Sequence, residues 1–316
     1  MPSASVPAAL RPRAGLNPTR VRMPDDGAWA TAAEFLLARF PQHAQRSAEL
    51  IANGEVYDAA GVPITTQTPY QTNRDLYLFR DPPTDEPPVP ALNEIEILYQ
   101  DNDLLVIDKP HQVSVIPRGR WVTQTALVYL RNNLDLPELS PVHRLDRPTA
   151  GVLVFTTRPQ VRGAYQTLFQ KRKVHKEYLA VTQAPPAGSE LANANSYPKT
   201  ISSRIVKQHG VTRAEEVPGE PNAETELHLA GIKDSKALWR LHPKTGKTHQ
   251  LRLHLNSLGL PILGDPFWPE LVPPDSEQAL HPDPPLQLLA KVMEFIDPFI
   301  GEHRSFESRR ALSCWE

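Results

Sequence analysis

The sequence predicts an α+β chain in which a small N-terminal domain precedes a larger, strand-rich one. Three observations carry this. Two amphipathic helical patterns followed by short strands occupy the first eighty residues, and a proline-rich acidic stretch then breaks the chain. Behind it come short β-branched and apolar runs separated by only brief helical patterns. The 316 residues suffice for roughly two domains. A composition of 40% hydrophobic and 22% charged residues is that of a globular protein. Proline, 34 of 316 residues, runs at about twice the usual ~5%, which favours fixed turns and extended linkers over long helices.

Residues 1–26 combine small residues and proline without periodicity and read as disordered or loosely attached. Residues 27–81 form the small domain. Trp29, Ala33, Leu36, Leu37 and Phe40 fall at helical spacing and Pro41 ends the run; a second helix over Gln45–Asn53 stops at Asn53-Gly54. Glu55–Asp58 and Leu76–Phe79 read as strands. Residues 82–90, within Asp81–Pro90, are the linker. The main domain covers 91–316. Ile95–Tyr99 and Leu104–Asp108 make a hairpin, a helix spans about Thr123–Asn133, and Gly151–Thr157 is a buried strand. A helix over Ala164–Lys171 leads to a strand over Lys176–Val181, and residues 184–225 read as strands with long loops. Thr248 is placed to cap a helix carrying Leu251, Arg252 and Leu255, with Gly259 beyond its end. Leu286–Phe295 and Phe306–Ser308 close the sheet.

Several function classes are excluded. Cys314, the single cysteine, leaves neither a disulfide framework nor a multi-cysteine zinc site. No run approaches the ~18 apolar residues of a membrane span. Met1–Val21 lacks the apolar region of a secretory signal, so the cytoplasm is the expected compartment. The net charge of -2 hides an asymmetry. Residues 140–255 carry 18 Lys and Arg against 9 Asp and Glu, a net of +9, while the other 200 residues hold 16 against 27. A basic middle in an acidic chain is the footprint of a localised polyanion site, and equally suits an enzyme for small anions.

The densest chemistry lies in Pro141–Gly151. Asp146 is flanked by Arg144 and Arg147, with His143 close by and Pro148 and Gly151 fixing the backbone before the strand. Neighbouring guanidiniums favour the charged form of a carboxylate, which suits a nucleophile better than a general acid. Taken alone, such a stretch is more often a surface loop with weak ion pairs.

Four blocks, in order, change that weighting. Lys109-Pro110, His143-Arg144-Leu145-Asp146 with Thr149 and Gly151, Lys176-Glu177-Tyr178, and Thr245–Arg252 with Pro261–Asp265 together resemble the RluA family of RNA pseudouridine synthases over roughly residues 92–310. The resemblance implies that family's fold, a mixed and mainly antiparallel sheet with flanking helices. It also implies isomerisation of specific uridines in rRNA or tRNA, in loop or single-stranded regions, by a monomer without cofactor or metal. Asp146 would be the reacting carboxylate, attacking C1′ or C6 or promoting glycal formation. Arg252 would hold it charged, Tyr178 would stack on the base and help handle the C5 proton, and Arg144 would fill the space of the flipped uridine. Arg147, Lys171, Arg172, Lys173, Lys207, Arg213, Lys247 and His249 are the expected RNA contacts. Lys109 reads as a strand-end residue. Ser47–Val56, with its Ile-x-x-Gly-x-Val spacing, resembles the alpha-L RNA-binding domain in degenerate form, since only Arg39 and Arg46 supply helix charge.

Ala150, Lys247, Trp268 and Leu289 depart from the family's usual serine, arginine, tyrosine and histidine, and bear on substrate choice. A rival reading, a zinc nucleobase deaminase, is suggested by His175-Lys176-Glu177 but needs a Pro-Cys-x-x-Cys pair that the sequence lacks. The other rival is a non-catalytic RNA-binding or RNA-folding module, against which the joint presence of Asp146, Tyr178 and Arg252 argues.

Overall fold

The computed structural model describes residues 6–273 and 276–316. The chain divides into two units: Met1–Glu86 with Pro117–Thr123 and Leu127–Glu138, and Pro87–Ile116 with Gln124–Ala126 and Leu139–Glu316. The first unit therefore takes in two segments that the sequence assigns to the main domain.

In the first unit, β1 (Thr19–Arg22), β2 (Val56–Tyr57) and β3 (Asp75–Leu78) form an antiparallel sheet in the order β1-β3-β2. Two helices, α1 (Ala32–Arg39) and α2 (Ala44–Ala52), supply Phe35, Leu36, Leu50 and Ile51 to its core. Thr31 Oγ1 accepts the N–H of Glu34 at 3.1 Å, and the Glu34 carboxylate reaches back to the N–H of Ala30 at 2.9 Å, which fixes the start of α1. Gly54, at φ +68°, closes α2 where the Asn-Gly pair predicts. Residues 6–26 are not loosely attached. β1 lies in register on β3, with Val21 opposite Leu76, and Val21 and Met23 are buried. The alternation Arg20-Val21-Arg22-Met23 puts arginines out and apolar groups in, a period-2 signal too short to stand out among the prolines around it. The helix expected from Thr123 is shorter: α3 spans Ala126–Asn133.

The second unit is built on one large sheet. Its strands are β4 (Glu96–Gln100), β5 (Leu104–Lys109), β6 (Ser140–Pro141), β7 (Ala150–Thr156), β8 (Val174–Gln183), β9 (Lys199–Val206), β10 (Glu215–Val217), β11 (Ala223–Lys233), β12 (Lys236–Pro243), β13 (Leu288–Ile296) and β14 (His303–Glu307). Their order is β10-β9-β11-β12-β8-β13-β7-β5-β4, with β14 on β13 and β6 on β7. Among the strands of the described residues only the β13–β7 pairing is parallel, so the sheet is mixed and mainly antiparallel, as expected. The β4–β5 turn is set by Asp101, whose Oδ1 accepts the N–H groups of Asp103 and Leu104 at 2.8 and 2.7 Å. All of β7 is buried.

The helices are α4 (Pro159–Gln170), α5 (Gln250–Ser257) and the short α6 (Glu277–Leu280). Pro159, at the first helical position, starts α4 one turn earlier than the apolar spacing suggests. Thr248 does not cap α5. His249 holds that position at φ +59°, and the Gln250 side chain ties the helix start down by accepting from Lys247 N–H at 3.0 Å and Thr245 Oγ1 at 2.7 Å. Leu251 and Leu255 pack with Leu227, Trp239 and Leu241 on one face of the sheet.

Candidate active site

One rung of the sheet gathers the motifs. Lys109 at the end of β5 pairs with Gly151 of β7, Gly151 with Ala290 of β13, and Ala290 with Tyr178 of β8. Gly151 sits at φ +112°, and a Cβ there would stand 2.2 Å from the Ala290 carbonyl oxygen. Glycine alone permits this approach, so the loop bearing Asp146, five residues upstream, is pinned to a strand beside that of Tyr178. Ala150 and Leu289, two of the departures from the family pattern, are opposite each other in the same parallel pairing.

Lys109 fastens the loop from inside. Its fully buried ammonium donates to the carbonyl oxygens of Pro110 and Val113 at 2.9 Å each and of Arg147 at 3.1 Å. Burial drives its pKa well below the usual 10.5, with the negative charge of Asp146 opposing. The loop's own turn closes through the Thr149 N–H on the Asp146 carbonyl at 3.0 Å. His143 stacks on Phe169 with centroids 4.8 Å apart, and its Nε2 accepts the N–H of Val154 at 3.2 Å. Burial, helped by the Lys176 charge, lowers its pKa to about 3. His143 is thus a neutral strut with its proton on Nδ1.

The start of α5 brings two more groups. The buried guanidinium of Arg252 meets two carboxylates. Asp265 accepts from Nε at 2.8 Å and from Nη2 at 2.6 Å, while Asp146 accepts from Nη1 at 3.4 Å. The rings of Phe267 and Trp268 flank the guanidinium, at 4.4 and 5.2 Å from their centroids. His249 Nδ1 accepts the N–H of Ala214 at 3.2 Å, so its Nε2 carries the proton, 4.0 Å from Asp146. Burial lowers its pKa to about 4, which leaves it neutral near pH 7. Tyr178 is protonated as well, since burial and the Asp146 charge both raise its pKa.

The arrangement presents one partly exposed carboxylate, with 32% of the Asp146 side chain accessible, beside the buried guanidinium of Arg252. A profile of the family described as RNA pseudouridylate synthase matches residues 103–257. The dual-specificity RNA pseudouridine synthase RluA of Salmonella typhi is 31% identical over 216 residues, covering 67% of this chain and 91% of that protein. The chain belongs to the RNA pseudouridylate synthase family. Pseudouridylate synthase RPUSD2 of Mus musculus is 33% identical over 73% of this chain, and that of Homo sapiens 36% over 58%. The matches span only 39% and 32% of the lengths of those two relatives. The solved structure of human RNA pseudouridylate synthase domain containing 4, 28% identical, covers 70% of this chain and 90% of its own with a TM-score of 0.52.

Of the residues singled out in the sequence, Asp146, Arg252 and His249 come together, and Tyr178 lies close enough to feel the Asp146 charge. Arg252 meets Asp146 as expected, but its shortest and bidentate contact is with Asp265. Arg213 donates to the Phe267 carbonyl at 3.1 Å and braces that loop. The Lys207 ammonium is held by the carbonyls of Gln208 and Val211, near enough to depress the His249 pKa. Arg144, Lys171, Arg172, Lys173 and Lys247 are exposed, and Arg147 is half-buried. Asp265, Phe267 and Lys109 were missed as site residues. Gly264-Asp265 was visible as a motif, but nothing in sequence spacing says that a carboxylate thirteen residues past Arg252 returns to its guanidinium.

Proposed function

We propose that this chain is an RNA pseudouridine synthase, converting uridines in loop or single-stranded regions of rRNA or tRNA to pseudouridine without a cofactor. The reaction breaks the N1–C1′ bond, turns the uracil, joins C5 to C1′, releases the C5 proton and leaves a proton on N1, so no atom is gained or lost. The observation that carries this reading is the accessible Asp146 carboxylate, 3.4 Å from a buried guanidinium and served by the Lys109–Gly151–Ala290–Tyr178 rung.

Asp146 reacts at C1′ or C6, or promotes glycal formation, with Arg252 steadying its charge. Tyr178 stacks under the base. A phenol kept protonated by burial and by a facing carboxylate is a poor base. Tyr178 therefore takes the C5 proton only as it hands its own hydroxyl proton to a second acceptor. Exposed Arg144, two residues from Asp146, occupies the gap of the flipped nucleotide. Lys171, Arg172, Lys173, Lys207 and Lys247 meet phosphates, and Arg147 borders the loop. The protein works as a monomer in this reading. The N-terminal unit is proposed as an alpha-L-like accessory.

The test is tritium release from RNA carrying 5-tritiated uridine. Total tRNA or rRNA from a deletion strain should release tritium with the purified protein, at uridines that are pseudouridine in the parent strain. Absence of release from both RNAs would refute the assignment.

A further inference from the structure

The strands behind the site carry a second polar cluster on their other face. Along β11 and β12 alternation sends Leu227, Trp239 and Leu241 into the core, and Glu226, His228, Arg240 and His242 to the opposite side. Glu226 is directly opposite His242 across the two strands, and His228 follows Glu226 by two residues on β11. One ligand atom from each of Glu226, His228 and His242 lies within 4.8 Å of the other two. His228 Nε2 and Glu226 Oε1 are 2.9 Å apart. The His242 side chain is 14% exposed, and its buried Nδ1 meets no hydrogen-bond partner among the described residues. A buried imidazole nitrogen left in that state is costly unless something binds it.

We propose that Glu226, His228 and His242 form a site for a borderline divalent transition-metal ion of the Zn²⁺ class, which cross-links β11 to β12. Two imidazoles and one carboxylate are a ligand set such ions take, with a position left for water. The donors stand on paired strands, so their spacing is preset and little ordering remains for the ion to impose.

The surroundings fit a cation of charge two. The Glu177 carboxylate lies 3.8 Å from His242 Nε2, and the His175 ring is 5.2 Å from that of His242. Two cations compete for the carboxylates, Lys244 at 3.7 Å from Glu226 and Arg240 at 3.3 Å from Glu177. Their side chains are 50% and 51% exposed, so both swing into solvent at little cost. The cluster lies on the face opposite Tyr178 and takes no part in the proposed reaction.

The full chain, freed of metal with a chelator, is titrated with CoCl₂ and followed by the visible bands of low-coordinate Co²⁺. One equivalent should bind, ZnCl₂ should displace it, and Zn²⁺ should raise the melting temperature. His242→Asn and His228→Gln should each abolish the bands and the thermal shift while keeping the metal-free melting temperature. If His242→Asn fails to fold, the more exposed His228→Gln and Glu226→Gln variants decide. No bands with wild type, or bands that survive these substitutions, overturn the site.

Discussion

Arg252 faces two aspartates, and the contrast between them separates holding from reacting. Asp265 has a side chain only 1% exposed and accepts from both Nε and Nη2 at 2.8 and 2.6 Å, with a third bond from the Phe267 N–H at 2.8 Å. Asp146 is 32% exposed and takes one longer contact, 3.4 Å, from Nη1. The first carboxylate has its lone pairs filled by donors that cannot leave without exposing a buried charge. The second keeps lone pairs directed away from the guanidinium and open to a ligand. One cation thus serves as anchor on one side and as electrostatic support on the other.

Substitutions should break this pairing unequally. The largest effect belongs to Asp146→Asn, which should lower pseudouridine formation by about 10⁴-fold or more in single-turnover assays, as loss of a reacting group does elsewhere, and leave the urea midpoint close to wild type. Asp265→Asn should act first on stability, costing about 3–5 kcal/mol in urea unfolding because the buried guanidinium loses its main partner; an unchanged midpoint would mean that Asp265 is no anchor. Lys109→Met should cost less, about 2 kcal/mol, since the three stranded carbonyls are partly offset by relief of a buried ammonium. Its activity should fall through misplacement of the Asp146 loop.

The histidines around the loop and the sheet give a pH signature. His111, His143, His249 and His254 have pKa values lowered to about 4, 3, 4 and 4 from the usual 6.5, in each case chiefly by burial. The unfolded chain binds their protons between pH 6.5 and 4 while the native chain does not, so stability is present above 6.5 and lost as pH falls towards 4. Each contributes up to about 1.4 kcal/mol per pH unit. Urea unfolding at pH 7 and pH 5.5 should show the drop, and equal stabilities at both would contradict the buried neutral state. The smallest effect is expected from replacing Lys171, Arg172 and Lys173 together by glutamine. The slope of log affinity against log salt should shrink by about 2, at ~0.7 per lost phosphate contact, with turnover of bound RNA unaltered.

Much of this was legible in the sequence because its signals are local. The hairpin around Asp101, the Asn53-Gly54 cap and the apolar run of β7 follow from turn chemistry and periodicity within a few residues. Asp146, Arg252 and Tyr178 were found through motifs, and the sheet brings them to one place. What escaped depends on contacts between distant segments. Lys109 looks like the end of a strand until Arg147, thirty-eight residues on, offers it a carbonyl. Asp265 looks like a turn residue until the chain folds it against Arg252. The metal-binding alternation of Glu226 and His228 needs His242 from the next strand before it means anything. In the first unit, β1 was hidden because its four residues are too few for periodicity to rise above a proline-rich background.

The central claim is that Asp146, not its better-bonded neighbour, does the chemistry. Asp146→Asn and Asp265→Asn measured side by side, by tritium release and by binding to the same substrate RNA, test it most directly. Asp146→Asn should bind RNA nearly as wild type does and release no tritium, while Asp265→Asn, in the fraction that remains folded, should keep measurable turnover. Tritium release near the wild-type rate by Asp146→Asn would contradict the claim.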